Sequence, residues 1–188
     1  MTNKARPKAS VFIGRSIDEY IATTDGDVEW LMEFGEEGED YGYNQFIASI
    51  DALVMGRNSY EKVMSFSEWP YKGKRVIVLS KTLTSVCEQA ELFEGSIPEL
   101  MEKLHIEEVQ HIYVDGGKII SSFLSLNLID EMILTLVPVF MGAGIPLFNE
   151  FNHKITCTLK NAKSYPSGIV QLHYLLKKQL ITVMWIVD

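Results

Sequence analysis

Short apolar runs, each halted by a small or polar residue and followed by helix-like spacing, recur along this chain and narrow its fold more than any other property. Ala52 to Met55 ends at Gly56, Arg75 to Leu79 ends at Ser80, and His111 to Val114 ends at Asp115-Gly116-Gly117. Runs without polar alternation suit strands covered on both faces. Ser10 to Gly14 and Glu131 to Val137 read as further strands, and Ala90 to Phe93 as a short one. Between them, Tyr41 to Ile50 places Tyr43, Phe46, Ile47 and Ile50 on one helical side, and Ser59 to Met64 and Lys118 to Leu126 also read as helices. Ser96-Ile97-Pro98-Glu99 opens another helix with the signature of a capping box, running to about His105. Strands alternating with helices predict an α/β domain.

The remaining segments carry turn chemistry. Asp18 to Asp27 reads as a loop, Val28 to Phe34 as a short apolar piece, Gly35 to Asp40 as an exposed acidic loop, and Phe140 to Phe148 as a Gly/Pro-rich excursion. Ile155 to Ala162 and Ile169 to Leu176 predict a terminal hairpin through Tyr165-Pro166-Ser167-Gly168. With 188 residues, 47% of them hydrophobic, and no linker-like tract, one domain is expected over residues 1–178. An apolar tail, residues 179–188, follows; it can extend a sheet edge, pair two subunits, or be unrelated to the fold.

A formal net charge of -8 disfavours nucleic acids and anionic lipids as partners. No apolar stretch reaches the roughly 18 residues of a membrane helix, and the basic N-terminus lacks the apolar run of a signal peptide. Cys87 and Cys157 form no CxxC pair and read as reduced thiols, so a cytoplasmic protein is expected. His105, His111, His153 and His173 have no metal-ligand spacing, so no metal is expected. A homodimer is the default assembly.

The chemistry concentrates where the strands stop. In open α/β sheets ligands lie across the carboxyl ends of the strands. Gly116-Gly117 before a helix lets a diphosphate approach free N–H groups; it is also what a tight turn uses. Arg57 can hold a phosphate or pair with an acidic neighbour. Ser80 and Lys81 can add a hydroxyl and a charge for the 2′-phosphate of NADPH, or Lys81 is a solvated surface lysine. Neither GxGxxG nor GxxxxGK[ST] is present.

Taken in order, Ser16 to Ala22 (SIDEYIA), Met55 to Glu61 (MGRNSYE), Val76 to Ser80, Val114 to Gly117 (VDGG) and Pro138 to Phe148 (PVFMGAGIPLF) resemble the RibD C-terminal, dihydrofolate-reductase-like family over about Ser10 to Lys177. The resemblance implies a dihydrofolate-reductase-like α/β fold: a central, mostly parallel mixed sheet flanked by helices on both faces, with NADPH across it. It implies that Gly56, Arg57 and Ser59 hold the adenosine end of the cofactor. Leu79, Ser80 and Lys81 would flank the adenine and 2′-phosphate, Gly116, Gly117, Lys118 and Ile119 would meet the diphosphate, and Ile21 and Ala22 would lie near the nicotinamide. On the substrate side it points to Asp40 and Thr135, although Asp40 also reads as a solvated loop acid. Trp30 and Trp69 can wall an aromatic substrate or simply pack.

Two departures stand out. Glu19 replaces the family's glycine, and the zinc deaminase signature of bifunctional riboflavin enzymes is absent. The reading is an NADPH-dependent reductase moving hydride to a C=N or C=O group of a small pterin- or pyrimidine-like substrate. The 5-amino-6-(5-phosphoribosylamino)uracil reductase of riboflavin biosynthesis is one alternative, and a non-catalytic nucleotide-binding protein of the same fold is another.

Overall fold

A computed structural model of the protein describes residues 6–151 and 153–177; the apolar tail 179–188 lies outside the described residues. The principal strands are β1 (Lys8–Arg15), β3 (Ala52–Gly56), β4 (Arg75–Leu79), β5 (Glu91–Phe93), β6 (His111–Asp115), β7 (Glu131–Leu136), β9 (Cys157–Ser164) and β10 (Val170–Leu176). They form one sheet in the order β5-β4-β3-β6-β1-β7-β10-β9. Pairing is parallel from β5 through β7, and β10 runs antiparallel to both β7 and β9. The carboxyl ends of six strands therefore share one rim.

The helices are α1 (Tyr43–Ala48), α2 (Arg57–Met64), α3 (Ile97–Ile106) and α4 (Gly117–Ser125). On one face of the sheet Ala52, Val54, Ile77, Ile112 and Val114 pack with Leu100 and Leu104 of α3 and Ile120 and Phe123 of α4. On the other, Leu53, Met55, Val76, Val78 and Tyr113 pack with Phe46 of α1 and Tyr60 and Val63 of α2. Successive residues of β3, β4 and β6 thus enter opposite cores, which is why these strands are apolar throughout. α3 starts as its sequence predicts: Ser96 Oγ accepts from the Glu99 N–H, and the Ser96 N–H donates to Glu99 Oε2 at 2.7 Å.

Several boundaries differ from the sequence expectation. α2 begins at Arg57, because Gly56 is extended and acts as its N-cap. Val28 to Phe34 contains a 3-10 helix, Glu29–Phe34. The terminal hairpin is present, but its first strand begins at Cys157, and Ile155 instead packs against the core.

The expected loop at Asp18 to Asp27 and the excursion at Phe140 to Phe148 contain a two-stranded sheet of β2 (Tyr20–Ala22) and β8 (Ile145–Pro146). Asp18 ties the two segments together, its carboxylate accepting from the N–H groups of Met141 (3.1 Å) and Gly142 (2.7 Å). Gly144 presses on the Ala22 carbonyl so closely that a Cβ would collide with it. No helix among the described residues is long and apolar enough to cross a membrane.

Candidate active site

Strand register brings the three motif ends together. Gly56 pairs with Leu79 and Met55 with Asp115, so Ser80, Arg57 and Gly116 leave adjacent strands at the same rim. α2 and α4 both begin there. Neither has a side-chain N-cap bond or an acidic residue in its first turn, so no capping side chain covers their leading N–H groups. α3 differs, since Glu99 already occupies its N-terminus.

The two glycines have separate duties. Gly116 has φ +89, and a Cβ on it would strike the Ser59 hydroxyl. A Cβ on Gly117 would lie 2.6 Å from the Pro146 carbonyl oxygen and 2.9 Å from that of Leu147. Gly117 is therefore required by the protein's own backbone at β8. That contact also brings β2, with Ile21 and Ala22, beside the start of α4, while Lys118 is exposed and Ile119 packs under Gly56.

Arg57 is half-exposed; its Nε sits 3.0 Å from Glu61, and an Nη donates to Thr82 Oγ1 at 3.4 Å. Arg57 thus pairs with an acid, as one of its two sequence readings has it, and lies at the rim. Ser80 Oγ accepts from the N–H groups of Thr82 (3.2 Å) and Leu83 (3.1 Å), closing the turn after β4. Beyond it lies an open cleft of about 230 Å³ lined by Leu79, Ser80, Lys81, Glu94, Gly95, Ser96, Ile97 and Ile119.

On the α1/α2 face the rim carries a carboxyl that sequence spacing did not single out. Asp115 accepts from the side chains of Ser59 and Tyr113 (3.3 Å from the latter) and from the Gly116 N–H. Burial outweighs these bonds and raises its pKa. Tyr43, Tyr71 and Tyr113 are raised as well, first by burial and then by the Asp115 charge. Trp69 stacks edge-on against Tyr71, so it belongs to this aromatic wall. The available signal was an acid terminating a buried strand directly before Gly-Gly.

Thr135 reaches the same sheet face near the carboxyl end of β7, buried, and accepts from Gln171 Nε2 at 3.1 Å. Asp40 lies on the adjoining loop, next to Tyr41, whose carbonyl accepts from the same Gln171 amide at 3.0 Å. Its carboxylate is exposed and accepts from the N–H groups of Gly42 (2.8 Å) and Asn44 (2.9 Å), capping α1. Tyr41 (φ 54) and Gly42 (φ 81) turn the chain so that the side chain points back to the helix start. This geometry accords with the reading of Asp40 as a solvated loop acid.

Sequence comparison decides the family. The RibD C-terminal domain model matches residues 7–171. The chain belongs to the RibD C-terminal domain family. The uncharacterized Bacillus subtilis protein YwjB is 35% identical over 171 residues, spanning 89% of this chain and 97% of that one. A Shewanella sp. PV-4 protein whose name assigns it to riboflavin biosynthesis shares 34% identity, with a TM-score of 0.86 over 90% of this chain and 99% of its own. The Thermotoga maritima deaminase/5-amino-6-(5-phosphoribosylamino)uracil reductase has the same fold at 14% identity, TM-score 0.73, over 90% of this chain and 56% of its own. The eight-stranded mixed sheet is thus the fold of RibD-type reductase domains.

Proposed function

We propose that this RibD-type domain is an NADPH-dependent reductase of a small heterocycle bearing a C=N or C=O group. The observation carrying this reading is the side-by-side start of α2 and α4, both lacking a side-chain cap, next to the cleft at the end of β4. Helix N-termini without a side-chain cap, and two helix dipoles at one rim, suit a diphosphate. Arg57 adds a guanidinium there, and Ser80 and Lys81 add polar groups in the cleft.

NADPH, when bound, supplies the hydride. The chain's own residues orient the reactants and manage the proton. Gly117 against β8 fixes Ile21 and Ala22 beside the rim, where the nicotinamide end is assigned. Asp115, its pKa raised by burial, keeps a proton to higher pH than an exposed aspartate and is the group we assign to proton delivery. Tyr43, Tyr71 and Trp69 exclude water on that side, and Thr135 offers a hydroxyl to the substrate.

The Shewanella protein's name points to riboflavin biosynthesis and that of the Thermotoga maritima fold relative to a phosphoribosylamino-uracil, so a ribosylamino-pyrimidine phosphate is the first substrate to test, ahead of pterins and simple carbonyls. NADPH is expected to raise the melting temperature of the pure protein. NADPH absorbance should then fall with one member of a pyrimidine, pterin and carbonyl panel. Arg57→Gln should weaken NADPH by about fivefold to tenfold. No thermal shift with NADPH would overturn the reductase reading. A shift without turnover across the panel would favour a nucleotide-binding protein that has lost the chemistry.

A further inference from the structure

The cleft at the end of β4 carries charges of both signs. Ser80 and Lys81 enter it from the end of β4, Glu94 and Ser96 from the connection between β5 and α3, and Ile119 from α4. Lys81 is the one cation among these described lining residues, and it is exposed. The neighbouring helix N-terminus does not add to it. The Ser96 N–H and Oγ both donate to Glu99 Oε2 at 2.7 Å, and this second carboxylate lies within electrostatic reach of Lys81.

We propose that Glu94 is a specificity-determining residue that opposes Lys81 and narrows the preference for NADPH over NADH. This rests on the dinucleotide reading above and adds to it which cofactor the cleft tolerates. A 2′-phosphate brings roughly -1.5 to -2 charges, whereas a 2′-hydroxyl is neutral and can donate a hydrogen bond to a carboxylate. An acid near the ribose therefore supports NADH and penalises NADPH, while a lysine does the reverse. Having both, the cleft accepts both cofactors. The sequence motif drew attention only to Ser80 and Lys81. Glu94 follows β5, a three-residue strand, and reaches the cleft only because β5 pairs beside β4.

The test is calorimetric titration of NADPH and NADH into the wild type, Glu94→Gln and Lys81→Gln at low ionic strength. Adenosine 2′,5′-bisphosphate and 5′-AMP serve as probes of the cleft alone. Glu94→Gln should raise the NADPH:NADH affinity ratio by about tenfold, the size expected for removing one like charge near a phosphate at a protein surface. It should tighten the bisphosphate and weaken 5′-AMP, whose 2′-hydroxyl loses its charged acceptor. Lys81→Gln should lower the same ratio. Both side chains are exposed, so unliganded melting temperatures should match the wild type and confirm folding. A ratio in Glu94→Gln within about twofold of the wild type, with both cofactors binding, overturns the assignment of Glu94 but leaves the reductase reading standing. A wild-type protein that binds neither cofactor removes both.

Discussion

Replacing Gly117 by alanine tests how the rim is built. The new Cβ would sit 2.6 Å from the Pro146 carbonyl oxygen and 2.9 Å from that of Leu147. Carbon–oxygen contacts settle near about 3.3 Å, so β8 and the start of α4 must separate by about 0.7 Å. The opposing atoms are backbone, and no side chain can swing aside. Overpacking of this kind costs about 1–3 kcal/mol, which in a domain of this size lowers the melting temperature by about 4–8 °C at the midpoint of that range. β8 pairs with Tyr20 and Ala22, so the displacement passes to the segment assigned to the nicotinamide end. A misplacement of about 1 Å can cost about a hundredfold in rate, so turnover should fall by about tenfold. Gly35→Ala is the control, since its Cβ would meet only the Met32 carbonyl at 3.4 Å. Scanning calorimetry and NADPH oxidation read the two effects. A Gly117→Ala protein melting within about 1 °C of the wild type would refute the claim that backbone contact dictates this glycine.

Three further substitutions have defined outcomes. Asp115→Asn should slow turnover and abolish one limb of its pH profile; because burial raises the Asp115 pKa, the wild type gives up stability as pH rises through that value, so denaturant titrations should show the variant gaining on it with pH. Glu131, buried at the opposite end of β7, is pushed up by burial but brought down to about 2 by hydrogen bonds from Lys8 (2.5 Å), Ser10 (2.8 Å) and His173 (3.1 Å). Its stabilisation is present above its ordinary carboxylate pKa and lost as pH falls towards about 2, so Glu131→Gln should cost about 3 kcal/mol near neutral pH and flatten the acid limb of stability. Asp40→Ala should lower the melting temperature modestly through loss of the α1 cap, while kcat/KM changes by less than about threefold.

Features written in local chemistry were legible in the sequence. Ile112, Tyr113 and Val114 read as a buried strand because each enters one of two cores, and Ser96 and Glu99 announce α3 because a capping box is complete within four residues. Features set by distant partners were not legible. β2 and β8 are three and two residues long, too short for periodicity, and depend on Asp18 reaching Met141 and Gly142. The site followed the same division. Gly56, Arg57, Ser80 and Gly116 converge because parallel register aligns strand ends, which strand order along the chain already suggests. Asp40 reads two ways in the sequence because spacing counts residues but not direction, and two left-handed residues turn the chain after it. Glu19 shows how far context can override preference: it holds φ 72 without being glycine, its carboxylate 3.3 Å from Arg15.

A crystal of the protein soaked in NADPH tests the shared cradle most directly. The account predicts the diphosphate on the leading N–H groups of α4 beside Arg57, the adenosine in the cleft between Ser80 and Glu94, and the nicotinamide near Ile21 and Ala22. Dinucleotide density on another face of the sheet would contradict it, as would an empty rim at saturating cofactor.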